Sequence, residues 1–130
     1  MGDPILTHNT INQRLCGTPQ ETSEGTSRVL LTTGPDMAVD DHGLVHGGFI
    51  FGLADHAAMI AVNHPNVVLG SAEVRFQKPV RVGETVVAEA RVEKSDGRKR
   101  PVHVSVKRHT ETVFEGSFTC FILDSHVLAG

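Results

Sequence analysis

The sequence predicts an α+β fold in which an antiparallel sheet wraps around one long central helix. Two observations predict it: a long apolar run over residues 45–62, and several downstream runs in which apolar and polar residues alternate. The first run is too long and too rich in alanine for a strand, whereas alternation is typical of half-buried strands. Neither element can bury its apolar face alone, so the natural packing wraps the sheet around the helix.

The N-terminal third predicts short elements. Residues 4–16 are compatible with a short helix that stops at Gly17. The run TSRVLLTT over 26–33 is rich in β-branched residues and predicts a strand. Residues 35–43, PDMAVDDHG, are dense in turn formers and predict a loop before the helix.

The predicted helix covers 46–63, about 27 Å at 1.5 Å per residue. Asp55, His56 and three glycines argue against a membrane span. A helix that is apolar on nearly all sides is better explained by burial inside a protein.

Four strand-like runs follow the break at His64-Pro65-Asn66. Their apolar members are Ala72, Val74 and Phe76, then Val86, Ala88, Ala90 and Val92, then Val102, Val104 and Val106, then much of 113–123. Asp96-Gly97 and His109-Thr110 fall between runs and predict hairpin turns.

Length and composition bound the function. The 130 residues suit one domain over 1–130, and 39% hydrophobic with 21% charged residues is the composition of a soluble globular protein. A net charge of −3 gives no bulk attraction to nucleic acid or to an anionic membrane. The N-terminus lacks a secretory signal, and Cys16 and Cys120 favour reduced thiols in a cytoplasmic protein, although the sequence leaves their pairing open.

One constellation carries chemistry: Gly43, then His46-Gly47-Gly48, then Leu53-Ala54-Asp55, with Asn63 near the helix end. With it go Phe76-Gln77-Lys78-Pro79 and Val82-Gly83-Glu84. In these residues the sequence resembles the hotdog-fold acyl-CoA thioesterases, especially the phenylacetate-pathway and 4-hydroxybenzoyl-CoA types. The resemblance implies an obligate dimer, a Gly47 backbone N–H aimed at the thioester carbonyl, and Asp55 as base or nucleophile. It implies no metal or redox cofactor.

Elementary physics agrees with these roles. The first N–H groups of a helix lack intrahelical partners and lie at the positive end of its dipole, which suits a developing oxyanion. Asp55 lies about 12 Å further along the same axis, so one carbonyl cannot touch both groups within one chain. If both serve catalysis, the site lies at a two-fold interface of a dimer or a dimer of dimers.

Asp55 has a bland alternative, in which it pairs with an arginine from elsewhere or with backbone. Its neighbours on the helix face, Phe51, Gly52, Ala58 and Met59, offer no charge, so we expect a raised pKa. His46 is expected to shape the oxyanion backbone, or merely to pack or cap the helix. His56 is interpreted as a satisfied core or interface histidine.

Further residues are predicted to bind substrate: Gly48, Asp40, Met59, Phe76, Arg98, Lys99 and Arg100. The last three belong to the segment KSDGRKR, which is either a solvated hairpin or a contact for coenzyme A phosphates. Related enzymes often carry asparagine at the position of Asp40, so this acid either takes over that role or marks a different mechanism.

Other classes fit less well. Only His42 and His46 have an i,i+4 spacing, with no HExxH, so zinc is not expected. No GxSxG occurs, and neither cysteine lies in an activating motif. Two alternatives stay open: a non-catalytic, ligand-sensing acyl-CoA-binding module, and an enoyl-CoA hydratase in which Asp41 and His46 match the five-residue spacing of the catalytic pair.

Overall fold

The computed structural model describes residues 2–129. Within them lie two α-helices, a short 3-10 turn at Pro35–Met37, and six β-strands. Their bounds are α1 Gln13–Cys16, β1 Thr18–Ser23, β2 Thr26–Thr32, α2 Gly47–Val62, β3 Val67–Phe76, β4 Thr85–Val92, β5 Lys99–Arg108 and β6 Glu111–Ile122.

The strands form one antiparallel sheet in the order β1-β2-β4-β5-β6-β3, and α2 packs across its inner face. The alternation predicted for the central strands is confirmed, because Val86 and Ala88 on β4, and Val102, Val104 and Val106 on β5, are all fully buried. The valines stand opposite the alanine-rich helix, where small side chains allow close packing. This is the hotdog architecture that the resemblance implies.

Helix α2 agrees with the predicted 46–63 to within one residue at each end. His46 is its N-cap, and Asn63 ends it in the left-handed conformation with a φ of 54°. The Asn63 N–H donates to the Met59 carbonyl at 2.8 Å, which satisfies one orphan carbonyl of the last turn.

The helix predicted over 4–16 is wrong except for its last turn, Gln13–Cys16. The segment before it is an irregular strap, with a turn at residues 9–10, that lies against the end of α2. The Asn63 side chain holds it there, accepting from the Leu6 N–H at 2.7 Å and donating to the Pro4 carbonyl at 2.9 Å. These long-range bonds outweigh a weak local helix preference.

Two strands at the sheet edges depart from the sequence pattern. Strand β1, TPQETS, was not predicted because it is a polar edge strand without apolar alternation. Strand β3 begins already at Val67, and it leaves Ala72 and Phe76 exposed rather than facing the core. Within residues 2–129 it pairs only with β6, so its other edge is open.

Cys16 and Cys120 are free thiols, as expected. Across residues 2–129, no helix has both the length and the apolar character to cross a membrane.

Candidate active site

The N-terminal end of α2 presents a free backbone donor. The His46 ring caps the helix, since its Nδ1 accepts from the Gly48 N–H at 3.2 Å, while the Phe49 N–H bonds the His46 carbonyl at 3.0 Å. Within residues 2–129 the Gly47 N–H has no acceptor. The capping histidine therefore satisfies the two N–H groups that follow Gly47 and leaves the Gly47 donor at the positive helix end available to a ligand.

A cavity of about 310 Å³ opens beside that donor, and we call it the Gly47 cavity. Ile50, Phe76 and Val113 give it mostly apolar walls, and Lys78 stands at its rim. The Phe76 ring lies so close that a Cβ atom added to Gly47 would be 3.0 Å from its Cε2. Glycine here permits the backbone to approach both the ring and a ligand.

Asp55 is a half-buried carboxyl without a partner. Its Oδ1 is buried and has no hydrogen-bond partner among residues 2–129. Burial raises the pKa of Asp55 from 3.8 to about 6, the direction expected from its uncharged neighbours. The bland alternative, a structural ion pair with an arginine, is not formed among residues 2–129.

The face of α2 that carries Asp55 is open. Gly48 and Gly52, seven and three residues before it, lie on the same face, and a Cβ atom at Gly52 would meet nothing within 4 Å. Eight residues separate Gly47 from Asp55, about 12 Å of helix. Within one chain the donor and the acid are therefore not brought together.

His56 and the two cysteines are structural. His56 is 1% exposed, its Nδ1 lies 3.1 Å from the Cys16 carbonyl, and its ring stacks on His8 with a centroid distance of 6.1 Å. Burial lowers the pKa of His56, which keeps the ring neutral. Burial also raises the pKa of Cys16, and that of Cys120 to about 12, so neither thiol supplies a thiolate nucleophile.

Asp40 folds back on its own loop. Its Oδ1 accepts from the His42 N–H at 2.9 Å and from the Leu44 N–H at 3.2 Å. One carbonyl-type oxygen is all that this turn requires, so asparagine would serve equally well. The loop geometry thus explains why either residue can stand at this position, and a substrate role for Asp40 stays a prediction.

We therefore expect Asp40→Asn to leave the free energy of unfolding within about 0.5 kcal/mol of wild type, whereas Asp40→Ala lowers it by about 1 kcal/mol. Both expectations follow because asparagine keeps the Oδ1 acceptor that binds two backbone N–H groups, whereas alanine removes it. Urea denaturation of the two variants measures the difference. Equal destabilisation by both variants would show that the charge of Asp40, rather than its acceptor oxygen, holds the loop.

The other predicted binding residues are scattered. Phe76 lines the Gly47 cavity and is 56% exposed, Gly48 lies at the exposed helix entrance, and Met59 is buried in the core. Arg98 pairs with Asp124 at 2.6 Å, and Arg100 donates to the carbonyls of Gly97 and Lys99. Substrate contacts by these residues stay predictions.

The basic hairpin and the Gly47 cavity occupy opposite ends of the sheet. Lys99 pairs with Phe121 near the end of β6, whereas Phe76 pairs with Phe114 near its start. Within one chain, Arg98, Lys99 and Arg100 therefore do not approach the Gly47 donor.

A second cavity, of about 510 Å³, was missed by the sequence analysis. Its charged wall comprises Asp40, Arg81, Glu84 and Arg108, and we call it the Arg81 cavity. The turn Val82-Gly83-Glu84 lies beside this cavity, since Glu84 is part of its wall. Arg81 directly precedes this turn, but no spacing rule links it to Arg108. Within residues 2–129, no three His, Cys, Asp or Glu side chains come together as a metal site.

The profile of the thioesterase superfamily matches residues 42–115, which include the helix entrance, Asp55 and most of the sheet. An uncharacterized protein from Pyrococcus horikoshii, PH1136, superposes with a TM-score of 0.97 at 51% identity, with 98% of each chain covered.

Two curated relatives are longer proteins. The methylthioribose-1-phosphate isomerase of Aquifex aeolicus is 52% identical over 121 residues, covering 92% of this chain and 26% of the relative. The transcription factor FapR of Shouchella clausii is 34% identical over 93 residues, covering 71% of this chain and 48% of the relative. The chain thus spans between a quarter and a half of the length of these curated relatives.

Proposed function

The chain belongs to the thioesterase superfamily, and from this premise we propose that it hydrolyses a small or medium acyl- or aryl-CoA thioester to the free acid and coenzyme A. The unpartnered Asp55 carboxyl carries the proposal. A half-buried acid with no hydrogen bond to its Oδ1 and a pKa raised to about 6 is costly to the fold. Groups in this condition cluster at functional sites.

The Gly47 donor supplies the second half of the chemistry. Its N–H, at the positive end of α2, polarises the thioester carbonyl and stabilises the negative charge that develops on oxygen. The mostly apolar walls of the Gly47 cavity lower the local polarity around this donor and so strengthen the interaction. The His46 cap fixes the first turn and so acts as a positioning residue.

The acid that meets this carbonyl comes from the helix of a second subunit. Asp55 either removes a proton from water, whose oxygen then bonds to the carbonyl carbon, or attacks that carbon directly to form an anhydride that water opens. In both routes the C–S bond breaks, and coenzyme A leaves as a thiolate that takes up a proton. The open face around Gly52 and the unpaired edge of β3 support a homo-oligomer in which this contact is made.

The deciding experiment is release of free thiol from a panel of short-chain, aromatic and long-chain acyl-CoAs by the purified protein. We expect hydrolysis of at least one class, with a steady-state rate proportional to enzyme concentration. Crotonyl-CoA, followed by loss of its conjugated double bond, tests the hydratase alternative in the same plate. Hydration without thiol release would overturn the thioesterase proposal.

The pH profile reports the state of Asp55. Since either route needs the ionised carboxylate, kcat/KM should rise with pH, pass half its maximum near pH 6, and level off above it. Initial rates between about pH 4.5 and 8 measure this profile. A rate already constant from about pH 5 upward would indicate an unperturbed carboxyl and contradict the assignment.

A second candidate function is suggested by the FapR relative, a transcription factor to which this chain is 34% identical over 71% of its length. In that case the chain is a non-catalytic module that binds an acyl-CoA. Such a module has no use for an unpaired acid. Saturable acyl-CoA binding in calorimetry without thiol release would favour this candidate.

A further inference from the structure

The Arg81 cavity and the Gly47 cavity are neighbours. Both are lined by Leu44, Pro79 and Val80, so they adjoin along the entrance of α2. Leu44 pairs with Arg81 across an antiparallel bridge. Three residues separate Leu44 from Gly47, at most about 10 Å of extended chain. A ligand that binds the Gly47 donor therefore reaches Arg81 if it carries an arm of that length.

The cations around these two cavities differ in what they bind. The Arg108 guanidinium is 18% exposed and bonds the carboxylates of Glu84 and Glu111. The Lys78 Nζ lies 3.4 Å from the Glu111 Oε2. Within residues 2–129 the Arg81 guanidinium makes no direct ion pair and no hydrogen bond, although its charge attracts the Glu84 carboxylate over a longer distance, and the side chain is exposed in the cavity wall.

The acidic side chains of the Arg81 cavity already have hydrogen-bond partners. Glu84 binds Arg108 and accepts from the Arg81 backbone N–H at 2.8 Å, and the Asp40 Oδ1 is held by two backbone donors of its own loop. The neighbouring groups therefore leave the positive charge of Arg81 available to a ligand.

The backbone of Arg81 is held firmly by hydrogen bonds. Its N–H binds Glu84, and its carbonyl accepts from the Thr33 hydroxyl at 3.2 Å and from the Glu84 N–H at 3.0 Å. The backbone is thus fixed on both sides while the guanidinium stays free. A fixed backbone reduces the entropy that is lost when the guanidinium binds an anion.

Resting on the proposed function, we propose that the Arg81 cavity binds the phosphate groups in the nucleotide half of coenzyme A, with the thioester at Gly47 and the pantetheine arm crossing Leu44. Guanidinium groups suit phosphate because their paired donors match two phosphate oxygens. In this arrangement the basic hairpin of Arg98 and Arg100 in the same chain is not the phosphate site. Its arginines already bind Asp124 and backbone carbonyls, and it lies at the other end of the sheet.

The test is calorimetric titration of the full chain with coenzyme A, dephospho-coenzyme A and pantetheine. Arg81→Ala should weaken coenzyme A binding about tenfold and reduce its dependence on salt, and Arg81→Lys should restore part of it. Pantetheine, which lacks phosphates, should bind wild type and Arg81→Ala alike. Arg91→Ala is the matched control, since Arg91 is an exposed arginine on the outer wall of the sheet, away from both cavities.

The outcomes separate the two proposals. If Arg81→Ala also weakens the binding of dephospho-coenzyme A, Arg81 binds the pyrophosphate. If it weakens the binding of coenzyme A alone, Arg81 binds the 3′-phosphate. Either result supports the site. An unchanged affinity for coenzyme A in Arg81→Ala overturns the inference. So does a result in which the Arg98→Ala/Arg100→Ala double variant, and not Arg81→Ala, loses affinity tenfold. Hydrolysis of acyl-CoA by wild type decides the proposed function separately, so an Arg81-dependent affinity without hydrolysis leaves this site standing.

Discussion

Asp55→Asn should lower kcat for thioester hydrolysis by about a thousandfold and at the same time raise the melting temperature by several degrees. The loss of rate follows because an amide neither accepts the proton of water nor attacks the carbonyl, and such groups typically contribute 10²–10⁴-fold. Thiol release and thermal unfolding, measured at pH 7 on the same preparation, test both halves.

The gain in stability follows from the pKa of Asp55. Folding raises this pKa to about 6, so the folded protein binds a proton more tightly than the unfolded chain does. The contribution of Asp55 to stability is therefore fully present below about pH 4 and is lost as the pH rises through 6, where the buried carboxyl must ionise without a partner. Asparagine has no charge to bury, and at pH 7 it should raise the free energy of unfolding by about 1–2 kcal/mol.

Asp41→Asn is the matched control, since Asp41 is an exposed acid near the same helix entrance and the hydratase alternative requires it. It should change neither rate nor melting temperature appreciably. An Asp55→Asn variant that is inactive but less stable than wild type would contradict the proposal, because it would mean that the carboxylate makes a stabilising bond in the assembled protein.

Much of the fold was predictable because burial repeats with the period of each element. Buried apolar residues stand at every second position of β4 and β5, and α2 is apolar over most of its length, so both are visible in the sequence. The N-terminal strap and β1 were not predictable on the same grounds. The strap is held by the Asn63 side chain from 57 residues away, and β1 is polar on both faces because it lies at an edge.

Asp55 and Arg81 also differ in whether the sequence alone reveals them. Asp55 was visible because an acid in an apolar helix is an anomaly at the level of sequence. Arg81 was not, since one arginine among twelve lysines and arginines carries no signal by itself. What sets it apart is that its neighbours Glu84 and Asp40 are engaged elsewhere, which only the hydrogen bonds of the folded chain reveal.

The second large effect concerns the Gly47 donor, which can be removed with little other change. Gly47 is the first residue of α2, where proline is well tolerated and lacks only an N–H that has no intrahelical partner. His46 already has a φ of −59° and a ψ of 130°, the conformation that proline requires of the residue before it. Gly47→Pro should therefore fold and lower kcat by about 10²–10³-fold.

Gly47→Ala is the control, because its Cβ meets the Phe76 ring as the proline ring would, but its N–H is kept. The exposed Phe76 ring can turn aside, so the alanine variant should keep its rate within a few-fold of wild type. Equal loss in the two variants would show that crowding against Phe76, rather than the missing donor, is responsible.

Mixing the two inactive proteins then tests whether the site is shared between subunits. In a hybrid of one Asp55→Asn subunit and one Gly47→Pro subunit, one interface site combines the intact Gly47 of the first with the intact Asp55 of the second. Random reassociation from denaturant of equal amounts should restore about a quarter of wild-type activity, since half of the dimers are hybrids and each has one complete site. If donor and acid acted within one chain, no hybrid would contain both, and mixing would restore nothing.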